Sequence, residues 1–281
     1  MSEAVMSYPR NDNAVDYALS ITRSTLDFLN SRAIRIERTA ILEIGPGADF
    51  ATALVIASHG ATVTLADRFL ATWDDRFHPG FYREFLQRWD GPKWAIEAAL
   101  ARGGYESVLR LLAEPAEALT GIADRSIDLV LSNAVLEHVG DFSRFVHEMT
   151  RITRPDGIHA HQVDCRNHKD FSRPLDHLTI PQAVFDAERN ETGCRYGTQM
   201  RLQEMAECFA PGFWIDEIEA NAFAEPAYLE AIGASLEGRF ARFPRQSLRI
   251  TGGRLWLSRK HPAPETRSRW RRILGWDRRN G

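Results

Sequence analysis

Long hydrophobic runs are missing from this 281-residue chain. None approaches the roughly 20 apolar residues that a bilayer span requires. Residues 1–13 also lack the apolar core of a secretory signal, so the sequence predicts a cytoplasmic protein. Cysteine is scarce: Cys165, Cys194 and Cys208 are all there are. Their number is odd and they lack metal-ligand spacing, which predicts reduced thiols. Internal repeats and low-complexity tracts are absent, which excludes a solenoid. Charge of neither sign dominates, the formal net being −3, and an acidic body argues against a nucleic-acid partner. What remains is an ordinary globular composition, with 44% hydrophobic and 26% charged residues. That is enough for one large domain, alone or with a cap.

One further absence carries chemistry. Ile41-Leu42-Glu43-Ile44-Gly45-Pro46-Gly47 leads into an apolar helix and then into Ala61–Asp67. This reads as a buried strand, a glycine turn, a helix and a second strand ending in a carboxylate. Gly45 and Gly47 allow a sharp turn and close backbone approach to a ligand. Asp67 stands where an acid accepts ribose hydroxyls. A dinucleotide fingerprint needs a third glycine, three residues after the second, to seat a pyrophosphate. Phe50 occupies that position, and Glu43 and Asp49 flank the turn. Carboxylates repel pyrophosphate and suit a sulfonium or an amino group.

The E-x-G-x-G pattern with its strand-ending Asp resembles the class I S-adenosylmethionine (SAM) methyltransferases. The resemblance continues through Ser126–Asn133 with Val135-Leu136-Glu137-His138-Val139, then through Met149–Gly157 with Ile158–Val163. It covers residues 38–164 in order and spacing. It implies an α/β Rossmann-like, doubly wound seven-stranded sheet and SAM as cofactor. The cofactor set it implies is Glu43, Gly45, Gly47, Asp67, Arg68, Glu114 and Asn133. The family's adenine-contacting acid aligns with Pro115, leaving Glu114 as first choice and Glu117 as second. Asp49 stands where the family often has a small residue.

The organisation that follows is an N-terminal helical cover (1–37), a methyltransferase domain (38–262) and a basic tail (263–281). Residues 14–37 carry a helical pattern. An insertion at 68–105 is rich in aromatics and reads as a lid or substrate wall, most of its rings forming a satellite core. Within it, Trp73 and Tyr82 are candidates to face a flat ligand. A polar stretch, residues 164–197, lies where acceptor-facing loops fall in open α/β sheets. Thr198–Phe209 reads as a helix, Phe213–Ala220 and Arg254–Arg259 as closing strands, and 221–248 as an added segment. From Arg267 to Arg279, six arginines face one acid, Asp277. With Trp270 and Trp276 among them, this suits an anionic membrane surface.

Methyl transfer to a hydroxyl requires positioning and a base. His168 is the first candidate, with Asp164 four residues earlier to orient its imidazole; His138 is the second. His161 reads as a buried strand residue. A metal held by the Asp/His grouping with His177 is disfavoured by loose spacing, so no metal is assigned. Arg166, Arg173, Arg195 and Arg201 add charge for an anionic group on the acceptor. The stretch His161–His177 is similar to methyltransferases of bacterial surface-polysaccharide assembly. The resulting expectation is O-methylation of a sugar hydroxyl in a glycan or lipid-linked intermediate. A small amine or phenolic acceptor, and a non-catalytic SAM-binding scaffold, are the alternative readings; a nicotinamide oxidoreductase is disfavoured by Phe50.

Overall fold

The computed structural model describes residues 13–260. The basic tail expected at 263–281 and the start of the N-terminal cover lie outside them. Seven strands form one sheet in the order β3-β2-β1-β4-β5-β7-β6, the α/β Rossmann-like architecture that the strand–turn–helix pattern implies. The described residues divide into two compact units, which meet between Leu131 and Ser132 in the chain. Among the described residues no helix is long and apolar enough to cross a membrane.

In the first unit, β1 (Ala40–Ile44), β2 (Thr62–Ala66) and β3 (Arg110–Leu112) run parallel. Ile44 pairs with Ala66, so the glycine turn and Asp67 leave the sheet at the same level. β1 and β2 are buried beyond their first residues, as strands covered on both faces must be. α2 (Ala51–Ser58) is buried along its whole length and apolar all round, the mark of a helix enclosed by the core. α1 (Ala14–Ser31) buries Val15, Ala18, Leu19, Thr22, Leu26 and Leu29, one helical face. β4 (Ile127–Asn133) carries the chain into the second unit.

The insertion folds as α3 (His78–Arg88) and α4 (Trp94–Arg102). Its rings pack inward. Tyr82 and Phe85 are fully buried, with Phe81, Trp89 and Tyr105 nearly so. Tyr82 is thus removed as a ring that faces a ligand, whereas Trp73 is half-buried. Only Phe69 and Trp94 of this group stand out, at 64% and 52% exposure. For most of its length the segment is the satellite core, because adjacent rings stack on one another.

In the second unit, β5 (Thr153–Asp164) pairs antiparallel with β7 (Ile250–Arg259), and β7 with β6 (Phe213–Phe223). The Pro155-Asp156-Gly157 stretch precedes the ladder, which starts at Ile158 opposite Ser258. α5 (Phe142–Ile152) begins at Asp141, whose side chain accepts the Arg144 N–H. α6 (Gln182–Glu191) lies within the 164–197 stretch, and α7 (Leu202–Phe209) is shorter than the 198–209 span. The segment 221–248 holds α8 (Pro226–Ile232) and α9 (Arg245–Leu248) around a small core of Leu175, Leu178, Leu229, Phe240 and Leu248.

Candidate active site

In the first unit, the β1–α2 turn forms a candidate donor site. Gly45 and Gly47 both take positive φ, 64° and 75°. The Gly45 N–H donates to the Ala66 carbonyl at 3.0 Å, tying the turn to the end of β2. Space opens over Gly47, where a side chain would meet no atom within 4 Å. Phe50 also lies in the left-handed region, with φ 53°, at the N-cap of α2. Its ring is buried and lies 4.7 Å from that of Tyr105. Packing therefore holds a conformation that the backbone of a non-glycine residue disfavours by about 1–2 kcal/mol. The Asp49 carboxylate accepts the Ala51 N–H at 2.9 Å at the start of α2.

Two residues that the sequence did not assign to this turn fix it from α3. His78 Nδ1 accepts the Asp74 N–H, so its Nε2–H donates to the Ala48 carbonyl at 3.1 Å. The Tyr82 hydroxyl donates to the Asp49 carbonyl. The only sequence signal for this was the density of rings.

Glu43 is the electrostatic anomaly of this turn. It is buried, and its Oε2 has no hydrogen-bond partner. Burial, followed by repulsion from Asp49, pushes its pKa up to about 8. Burial likewise raises Asp49 to about 6. Asp67 follows β2; its Oδ1 accepts the Phe69 N–H at 2.8 Å. The two acids named for the adenine are already engaged. Glu114 accepts from the Thr120 hydroxyl at 2.9 Å and the Gly121 N–H at 3.0 Å. Glu117 pairs with Arg68 at 3.4 Å, so Arg68 is also committed within the protein.

In the second unit, Asn133 ends β4, half-buried. Beyond it the 3-10 turn Leu136–His138 and the loop after β5 bring Glu137, His138 and His168 together. The rings of His138 and His168 meet edge to face, with centroids 4.8 Å apart. Glu137, absent from the sequence assignment, is 1% exposed. Its Oε1 accepts the Asp164 N–H at 3.3 Å and lies 3.9 Å from His168 Nε2. Burial drives its pKa up to about 8, with the Asp164 charge adding to the rise. Burial lowers His138, and the nearby His168 works in the same direction.

Asp164 does not orient His168, as the spacing suggested. Burial works to raise its pKa, but the hydrogen bonds and charge of Arg166, 2.6 Å away, hold it below its ordinary value. His177 leaves the candidate set: it is buried, neither ring nitrogen has a hydrogen-bond partner, and burial lowers it to about 3. Arg201 leaves the group of acceptor-facing cations. It is fully buried, and its guanidinium donates to the carbonyls of Cys165, Leu248 and Ile250. Arg173 pairs with Asp176. His161 is buried as expected, bonded to Ser132 Oγ at 2.8 Å and His159 at 3.2 Å.

Comparison with known proteins bears on the fold. The family model described as a methyltransferase domain matches residues 89–161. A Galdieria sulphuraria protein described as a sarcosine dimethylglycine methyltransferase superposes with a TM-score of 0.51 at 14% identity, covering 86% of each chain. The fold is that of the class I SAM-dependent methyltransferases. The [4+2]-cyclase SpnF shares this methyltransferase fold, with a TM-score of 0.50 at 16% identity over 89% of this chain and 85% of its own. A SAM-dependent methyltransferase from Mesorhizobium loti gives 0.49 at 14% identity over 88% and 99%. No curated protein matches by sequence.

The residues present fit the cofactor of the class I methyltransferases. A buried carboxylate oxygen without a partner awaits a cationic or N–H donor, and the open face of Gly47 admits a ligand against the backbone.

Proposed function

We propose that the protein is a SAM-dependent methyltransferase that O-methylates a sugar hydroxyl in a glycan or lipid-linked glycan intermediate. The observation that carries the donor assignment is Glu43: a buried, unpartnered acid beside a positive-φ glycine turn, on this fold. Glu43 receives the cationic or amino end of the donor, Gly45 and Gly47 let the backbone approach it, and Asp67 accepts from the ribose. Arg68, Asn133 and Glu114 are assigned to the rim; the engaged carboxylate of Glu114 makes it a support for the 114–121 turn rather than a free acceptor. When bound, SAM supplies an electrophilic methyl group on a sulfonium.

The Glu137–His138–His168 cluster supports a hydroxyl acceptor. An amine acceptor needs little base chemistry, whereas a hydroxyl must lose a proton, and a positioned imidazole assists by about 10²–10⁴-fold. His168 is the residue assigned to the acceptor's proton and His138 its neighbour. Asp164 holds Arg166 in place beside them. The sugar class rests on the likeness of residues 161–177 to polysaccharide methyltransferases and on the basic tail, which suits the inner face of a membrane.

A second reading is favoured by one neighbour. SpnF is a cyclase, so this fold also hosts chemistry other than methyl transfer. A SAM-binding protein without transferase activity belongs with it.

Calorimetric titration with SAM, S-adenosylhomocysteine and NAD tests the donor assignment. Micromolar binding of the first two and none of NAD is expected; binding of NAD alone overturns it. Transfer of labelled methyl to a sugar acceptor separates the enzyme from the scaffold.

A further inference from the structure

Glu137, His138 and His168 have the chemistry of a metal site. One ligand atom from each lies within 4.8 Å of the others. Donors around a single ion at about 2.0–2.2 Å stand roughly 3.0–3.5 Å apart, so side-chain rotations must draw these atoms together by more than about 1 Å when the ion binds.

The two imidazoles are preset for coordination. His138 Nδ1 lies 2.9 Å from the Cys194 carbonyl and His168 Nδ1 lies 2.9 Å from the Arg166 carbonyl. A carbonyl only accepts, so each Nδ1 carries the proton and each Nε2 presents its lone pair. Backbone anchoring of the far nitrogen is the arrangement that fixes tautomer and ring direction in histidine ligands. Gly197 makes room for one of these rings: a Cβ there would stand 2.9 Å from His168 Nδ1.

The carboxylate supplies an independent sign. Glu137 Oε2 is buried without a hydrogen-bond partner. Leaving a polar atom in that state is costly unless something else satisfies it. Among the described residues no donor fills that role.

We propose that Glu137, His138 and His168 hold a divalent transition-metal ion through Nε2, Nε2 and a carboxylate oxygen. Two nitrogens and one oxygen select a borderline ion of the manganese-to-zinc series over magnesium or calcium, which take oxygen sets. Three protein ligands leave coordination positions open, the pattern of sites that bind a reactant rather than only brace a fold. A hydroxyl coordinated there loses its proton more readily; with the ion bound, His168 serves as a ligand and the metal, in place of the free imidazole, promotes that loss. That role rests on the proposed function, whereas the ion's binding does not.

The test is titration of the full chain, stripped with a chelator, with Co²⁺, read by its visible d–d absorbance. One Co²⁺ per chain is expected, with binding weakened at least about 10-fold in His138→Ala and in His168→Ala. Glu137→Gln, which keeps shape and volume, is expected to do the same, and thermal unfolding confirms that each variant folds. His147→Ala, an exposed imidazole on α5, and Cys208→Ser, an exposed thiol, are expected to bind as the parent does. No saturable absorbance overturns the proposal. So does a band that survives all three cluster variants or disappears in either surface control. SAM titration of the same samples separates the two readings: Co²⁺ bound without SAM sinks the proposed function alone, and SAM bound without Co²⁺ sinks the metal site alone.

Discussion

Gly197 sits against the ring of His168, at φ +77°, with Nδ1 2.9 Å from where a Cβ would be. Neither the backbone angle nor the space tolerates a side chain. Gly197→Ala is therefore expected to displace the imidazole and lower turnover about 10- to 100-fold, since a misplacement of about 1 Å costs that much. SAM affinity should stay unchanged. Equal turnover in a folded variant would remove His168 from the reaction.

Glu43 makes the β1–α2 turn sensitive to pH. Its pKa in the fold is about 8, against an ordinary value of 4.5. The stabilisation linked to its protonated form is complete below about 4.5 and is lost as pH rises through about 8. Glu43→Gln is thus expected to raise the melting temperature of the ligand-free protein at pH 9 and leave it little changed at pH 4.5. The same variant should bind SAM more weakly, because a neutral amide no longer attracts a cation. In the parent protein, SAM binding at pH 7 should release a proton, seen as a dependence of calorimetric enthalpy on buffer.

Asp67→Ala should weaken SAM binding about 10- to 100-fold, the worth of one or two hydrogen bonds to a charged group. A folded variant with unchanged SAM affinity would overturn the ribose assignment.

Arg201 should matter for stability and not for the acceptor. Its guanidinium joins the end of β5, the end of α9 and the start of β7 through three carbonyls. Arg201→Met leaves those acceptors buried without a donor, and a loss of about 3–5 kcal/mol is expected in denaturant unfolding.

Acid should unfold the protein steeply. Burial holds His161 and His177 at about 3, and His159 well below its ordinary value. Their stabilising contribution is present above about 6.5 and is lost as pH falls toward about 3, because the unfolded chain takes up the protons first. Glu43 and Glu137 work in the opposite sense but reach their full effect by about pH 4.5. Below that the imidazoles are opposed by neither acid. Urea midpoints that stay level between pH 4.5 and pH 3 would show that these rings are solvated.

Much of this architecture was legible because it depends on local pattern. Buried apolar strands, paired glycines and a strand-ending acid specify the turn from Glu43 to Asp67 with little help from the rest of the chain. The Glu137–His138–His168 cluster depends on contacts between loops far apart in sequence, and there spacing misled. Asp164 is four residues from His168 yet turns to Arg166, two residues away and oppositely charged. Glu137, thirty-one positions before His168, is the acid that meets it. The role of Arg201 was equally hidden, since nothing in a single sequence separates a buried guanidinium from a solvated one. Phe50 was read as a missing glycine; the structure shows the glycine-like backbone retained and the side chain used as core.

His78 and Tyr82 tie α3 to the carbonyls of Ala48 and Asp49. Anyone redesigning residues 68–105 to admit a different acceptor would be editing the scaffold that keeps the donor turn in shape. Changes intended for substrate scope in that segment should first appear as altered SAM and S-adenosylhomocysteine affinity. The loop after β5, which carries His168, is where the proposed acceptor site offers residues for variation that make no such contact with the β1–α2 turn.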